Sequence, residues 1–227
     1  MKVLISDYDG TLFLSEDDIK NNASKIKKFR KQGNMFIICT ARNFAAIKKP
    51  CVEYGIDVDY FFCDIGSVIL DNDGKVIYRK YIDIEDRNQI ESILDNMENQ
   101  VFIKRYGTNN KQGKEITDIV EYKIEGEKSI LKEIKEKVDK NCKLRTQITE
   151  DNKLIIHTNT KEESIEIFIK EMKIDRDCLY TVGDELDDLE MLKKYNGYRM
   201  DKCNDILKEY ITKSVSNISE LIDIIGE

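Results

Sequence analysis

Two carboxylates one residue apart, Asp7 and Asp9 in the stretch MKVLISDYDGTLF, stand where an apolar run stops. Like charges at close range disfavour each other's ionised state, so the pair needs a stabilising partner. A third acid, Asp184, closes the apolar run CLYTVGD, and Thr40 closes MFIICT. Oxygen ligands with no basic excess nearby suit a hard divalent cation, Mg2+ rather than zinc. The single histidine, His157, rules out a histidine-built metal centre within one chain and reads as structural. With a cation present, one aspartate of the pair can attack a phosphoryl group and form an acyl-phosphate. The other can act as general acid towards the leaving oxygen and then as general base towards water. Gly10 permits a sharp turn that aims main-chain N–H groups at phosphate oxygens. Thr40 offers those oxygens a hydroxyl, and Lys161 offers a cation at a helix start that already favours anions. Each residue alone has an ordinary reading, as an acidic turn, a strand threonine, a solvated lysine or an N-cap. Their order and context set them apart.

Those residues need elements to position them, and strand and helix signals alternate along the chain. KVLIS is a short apolar run suited to a strand buried on both faces. A helix is predicted over about 18–32, with Ile19, Ala23, Ile26 and Phe29 on one stripe and Gly33 ending it. MFIICT forms a second buried strand, 43–54 a second helix, and YFFCDIG a third strand followed by a hairpin turning at Asn72, Asp73 and Gly74. This βαβαβ pattern predicts a parallel, doubly wound α/β sheet. The middle of the chain reads αββαββ, an antiparallel sheet with helices on one face, taken as an insertion over 82–157. Thr160 and Glu163 have the form of a capping box opening the next helix. The strand CLYTVGD, the helix ELDDLEMLKKY and a closing α/β segment follow.

Composition limits the alternatives. Charged residues make up 36 % and apolar residues 41 %, a globular balance rather than that of a disordered chain. The net charge of -7, with lysines interleaved among acids, argues against a nucleic-acid-binding face. Six cysteines without CxxC or zinc spacing read as reduced, largely buried thiols. No apolar run is long enough for a signal peptide or a membrane span, so a cytoplasmic protein with no membrane partner is expected. Nothing in the sequence sets an oligomeric state, and a monomer accommodates every feature.

DYDGTL, ICTAR, a lysine opening a helix, and GDELDD before an apolar helix together resemble the haloacid dehalogenase superfamily of phosphatases. The insertion is similar to the type IIB cap of the Cof-like subfamily. The resemblance implies a Rossmann-like catalytic core of residues 1–81 and 158–227 with a small cap over 82–157. It implies Mg2+-dependent hydrolysis of a small phosphorylated metabolite, such as a sugar phosphate, through an aspartyl-phosphate. Carried over, Asp7 would be the nucleophile and Asp9 the general acid/base. Thr40 and Lys161 would hold the phosphate, with Gly10, Ala41 and Arg42 beside them. Asp7, the main-chain carbonyl of Asp9, and Asp184 would bind the metal, with Asp187 and Asp188 in support. Two positions depart from the Cof-like pattern: Ile65 stands where Asn precedes Gly66, and Asp187 stands where Asn is usual. In the cap, Arg105, Tyr106, Lys123 and Arg145 are either contacts for an anionic or hydroxyl-rich substrate or ordinary surface residues.

Other classes of protein share parts of this pattern. A phosphomannomutase-like phosphotransferase shares the cap type, and a dormant phospho-ligand binding or signalling protein shares the fold. A receiver domain also phosphorylates an aspartate at a strand end, but it is shorter, lacks an insertion and has no acid placed like Asp9.

Overall fold

The computed structural model describes residues 1–97, 99–107, 113, 116–149 and 151–226. The elements run β1 (Val3–Ser6), α1 (Glu16–Lys31), β2 (Met35–Cys39), α2 (Phe44–Glu53), β3 (Tyr60–Cys63), β4 (Val68–Asp71) and β5 (Val76–Arg79). Next come α3 (Ile84–Asp95), β6 (Val101–Gly107), β7 (Ile119–Gly126), α4 (Lys128–Asn141), β8 (Arg145–Ile148) and β9 (Lys153–His157). The chain closes with α5 (Lys161–Met172), β10 (Leu179–Gly183), α6 (Leu189–Lys194), β11 (Gly197–Met200), α7 (Asp205–Tyr210), β12 (Ser214–Val215) and α8 (Ile218–Gly226). They divide into two compact units, one of Met1–Ile77 with Thr160–Glu227, the other of Tyr78–Asn159.

In the first unit the strands order as β12-β11-β10-β1-β2-β3-β4-β5. All pairings from β12 to β3 are parallel; β3 pairs antiparallel with β4, and the hairpin that the sequence predicts at Asn72, Asp73 and Gly74 joins β4 to its neighbour β5. Val3, Leu4, Ile5, Phe36, Ile37, Ile38, Phe61 and Phe62 are fully buried, as strands covered on both faces require. Ser15 caps α1 by accepting from the Asp18 N–H, and the stripe Ile19, Ala23, Ile26 and Phe29 is buried. This helix packs against α8, which buries Ile218, Leu221, Ile222 and Ile225. Four cysteines are buried and Cys178 and Cys203 are half-buried, all as free thiols.

The second unit has the order αββαββ, with its antiparallel sheet running β6-β7-β9-β8. Helices α3 and α4 cover one face of it: Ile90, Leu94, Leu131, Ile134 and Val138 pack with Tyr122, Ile124, Leu154 and Ile156. Strand alternation places Glu121 and Lys123 on the other face. His157 is buried, and its Nδ1 is bonded to the Asn159 carbonyl.

Candidate active site

Because β10, β1 and β2 are adjacent and parallel, their carboxyl ends share one edge, where open α/β sheets bind ligands. Past β1, the Asp7 N–H donates to the Val182 carbonyl at 3.0 Å, which ties the turn to β10. Gly10 follows with φ of 79°, and a Cβ there would stand 2.3 Å from Asp184 Oδ2. Both the left-handed backbone and the close approach therefore demand glycine. Past β2 come Thr40, which is buried, and Ala41 and Arg42, which are half-buried. Past β10, the 3-10 turn Leu186–Asp188 precedes a shorter helix than the sequence predicts, with α6 starting only at Leu189. Asp188 Oδ2 causes this tightening, because it accepts the N–H groups of Asp184 at 3.0 Å and Glu185 at 3.1 Å.

Lys161 is the first residue of α5, opened by the reciprocal bonds of Thr160 and Glu163. Its side chain is only 2 % exposed, a burial that a lysine tolerates only when paired. The ammonium lies 2.7 Å from Asp7 Oδ1, 2.7 Å from Asp188 Oδ1 and 3.1 Å from Asp187 Oδ2. Burial pulls the Lys161 pKa down, but the three carboxylates more than reverse it and hold the side chain charged. Burial pushes the carboxyl groups of Asp7 and Asp188 upward while Lys161 opposes the rise. Asp184 is raised to about 6, by burial first, against a hydrogen bond from Thr11.

Ligand oxygens of Asp7, Asp184 and Asp188 all lie within 4.8 Å of one another. Asp188 has both oxygens engaged, one by Lys161 and one by main-chain N–H groups. Asp184 Oδ1 accepts from Thr11 Oγ1 at 2.5 Å, and Asp7 Oδ1 accepts from Lys161. The Oδ2 atoms of Asp7 and Asp184 carry no hydrogen bond among the described residues. Two acids with an oxygen to spare, raised in pKa by burial, fit a hard divalent cation.

Asp9 stands apart from this cluster. Its side chain is 55 % exposed and is gripped by Arg42 through two parallel bonds, Nε to Oδ2 at 2.7 Å and Nη2 to Oδ1 at 2.5 Å. Sequence reasoning set Arg42 beside the phosphate without seeing this partner, and it gave Thr11 no task although the residue stands in DYDGT. Ile65 is buried in a left-handed conformation, φ 54°, between Asp64 and Gly66 at φ 51° and 80°. Its N–H donates to the Thr40 carbonyl at 3.1 Å, so this unusual turn braces the threonine loop.

In the second unit Arg105 is buried and forked onto Glu91 at 2.8 and 2.6 Å, on the helix side of the sheet. That contact makes it part of the unit's interior rather than a surface contact. Lys123 lies 3.2 Å from Glu121 and 5.3 Å from the Tyr106 ring centroid, on the opposite face. Arg145 sits opposite His157 in the β8–β9 register.

A family model described as haloacid dehalogenase-like hydrolase matches residues 4–110 and 104–220. An uncharacterized protein of Mycoplasma capricolum is 24 % identical over 97 % of this chain and 98 % of its own length. A haloacid dehalogenase-like hydrolase from Bacteroides thetaiotaomicron has the same fold, with a TM-score of 0.82 at 16 % identity over 99 % of both chains. A putative HAD/COF-like hydrolase from Plasmodium vivax superposes with a TM-score of 0.80 at 18 % identity, covering 100 % of this chain and 95 % of its own. A HAD subclass IIB sugar phosphatase does so with a TM-score of 0.80 at 15 % identity, over 100 % of this chain and 99 % of its own.

Proposed function

The chain belongs to the haloacid dehalogenase-like hydrolases, and from that membership we propose that it is a Mg2+-dependent phosphomonoesterase acting through Asp7. The observation that carries the reading is the posture of Asp7. One oxygen is fixed by Lys161, and the other is unpartnered among the described residues at the ligand-binding edge of the sheet. Lys161 and Thr40 hold the phosphate, and one oxygen of the Asp7 carboxylate attacks phosphorus while the P–O bond to the leaving group breaks. Asp9, having taken up a proton from solvent, gives it to the departing oxygen. It then takes one from the water that attacks the acyl-phosphate, and the Asp7–phosphorus bond breaks to restore the carboxylate. Asp188 acts through Lys161 by holding the ammonium in place. When bound, Mg2+ supplies the positive charge that lets an anionic substrate approach several carboxylates, and Asp7, the Asp9 main-chain carbonyl and Asp184 would hold it.

Phosphatases of this superfamily act on small phosphorylated substrates, and we take a sugar phosphate as the substrate class. The fold shared with a subclass IIB sugar phosphatase supports that choice. We also read residues 1–81 and 158–227 as the catalytic core and 82–157 as a cap. A turnover screen over phosphomonoesters, with Mg2+ and with EDTA, tests the proposal. The expected outcome is multiple turnover that EDTA abolishes and that Asp7→Asn lowers by at least about 1000-fold, together with loss of covalent phosphate labelling. Activity that survives EDTA, or near-normal rates in Asp7→Asn, would overturn it.

A further inference from the structure

The two cations of the site are held very differently. Lys161 is buried among three carboxylates, whereas Arg42 and Asp9 form a pair whose side chains are 37 % and 55 % exposed. Water and dissolved anions reach an exposed pair, so a competing anion can replace one of its partners. Opening it does not set the arginine adrift. The guanidinium carbon lies 4.8 Å from the centroid of the Tyr8 ring, and that ring is buried and stacked on Phe13. The Phe13 N–H donates to the Tyr8 carbonyl at 2.8 Å, so the aromatic platform belongs to the β1 turn itself. At its other end, the Arg42 N–H donates to Thr40 Oγ1 at 3.2 Å, and its carbonyl accepts from the Asp64 N–H at 3.0 Å. The arginine is thus anchored at backbone and ring, with an exchangeable partner only at its fork.

Both Asp9 oxygens accept guanidinium N–H groups, and a carboxylate engaged in that way is not presented to an ester oxygen or to water. We propose that Arg42 is an anion-responsive positioning residue: the phosphate of an incoming phosphomonoester takes the guanidinium from Asp9, and this exchange releases the Asp9 carboxylate for its acid–base work. No covalent bond changes, because one forked contact to a carboxylate is replaced by another of the same shape to phosphate. The inference rests on the phosphatase reading, which supplies both the phosphate and the work for Asp9. It explains why a bulky tyrosine separates the two aspartates: its ring keeps the arginine in place while its partner changes.

Calorimetric titration with inorganic phosphate in the presence of Mg2+ tests the exchange on the full chain, using Asp9→Asn, Arg42→Gln and the double variant. Asp9→Asn removes the competitor for Arg42, so phosphate should bind about tenfold more tightly. In the Arg42→Gln background the same substitution relieves only charge repulsion and should tighten binding far less. Equal tightening in both backgrounds would overturn the exchange while leaving the phosphatase reading intact. A protein that neither binds phosphate nor turns over any phosphomonoester would overturn both. Arg42→Lys, which keeps the charge but loses the fork and the stacking, should fall between the parent and Arg42→Gln.

Discussion

At the scale of single residues, Asp187 departs most informatively from the Cof-like pattern. Its Oδ2 lies 3.1 Å from the Lys161 ammonium, so it shares that cation with Asp7 and Asp188. An asparagine there could donate an amide hydrogen bond, whereas an ionised carboxylate only accepts. Asp187→Asn should therefore free Lys161 for phosphate and lower the apparent KM by about threefold to tenfold, while raising the Mg2+ concentration needed for half activity. Kinetics at several Mg2+ concentrations check this, and unchanged constants would place Asp187 outside the site. Which residues gather at the edge was readable from DYDGT, ICTAR and GDELDD, since each motif follows an apolar strand. Who pairs with whom was not. Arg42 finds Asp9 across 33 positions, Thr11 finds Asp184 across 173, and Arg105 turns inward to Glu91 across 14. Such contacts are set by sheet order and side-chain reach, and neither has a local sequence signal.

Among the elements, the turn after β1 shows how backbone conformation shapes the site. Gly10→Ala would impose a left-handed alanine, costing roughly 1 kcal/mol or more, and would also drive Asp184 from its position. Gly55 is the control, with φ of 67° and nothing within 4 Å of its Cβ position. Thermal unfolding and Mg2+ titration should show both variants destabilised, with metal affinity weakened in Gly10→Ala alone. Equal metal affinity in the two would show that Asp184 does not depend on the turn. Strands and helices were legible because buried parallel strands read as continuous apolar runs, and because the Thr160 box lies within four residues. The helix after β10 is shorter than its sequence periodicity predicts. ELDDLEMLKKY has helical periodicity throughout, yet Asp188 is captured by the N–H groups of Asp184 and Glu185, and the first turn closes as 3-10.

Across the whole molecule, the two units part within β5 at Tyr78 and again after Asn159, just past β9. The second end is marked in the residues, because Thr160 opens α5 with its capping box, whereas the first falls inside a strand and carries no local signal. Proton binding at the buried acids couples the whole chain's stability to the site, and the proposed metal would act on the same groups. Asp184 rises from 3.8 to about 6 through burial, and Asp7 and Asp188 move in the same direction. Between those limits the folded protein binds more protons than the unfolded chain, so these groups make stability fall as pH rises through the window. On the proposed function Mg2+ would compete with those protons, and its stabilising effect should therefore grow with pH. The difference in melting temperature between Mg2+ and EDTA should be larger at pH 7 than at pH 5, and Asp184→Asn should shrink it at pH 7. Taking the difference at each pH cancels groups remote from the metal, including Glu166, which its partners Lys194 and Tyr195 hold at about 2. A Mg2+ shift equal at both pH values would mean that the buried aspartates are not the ligands, whatever else the ion binds.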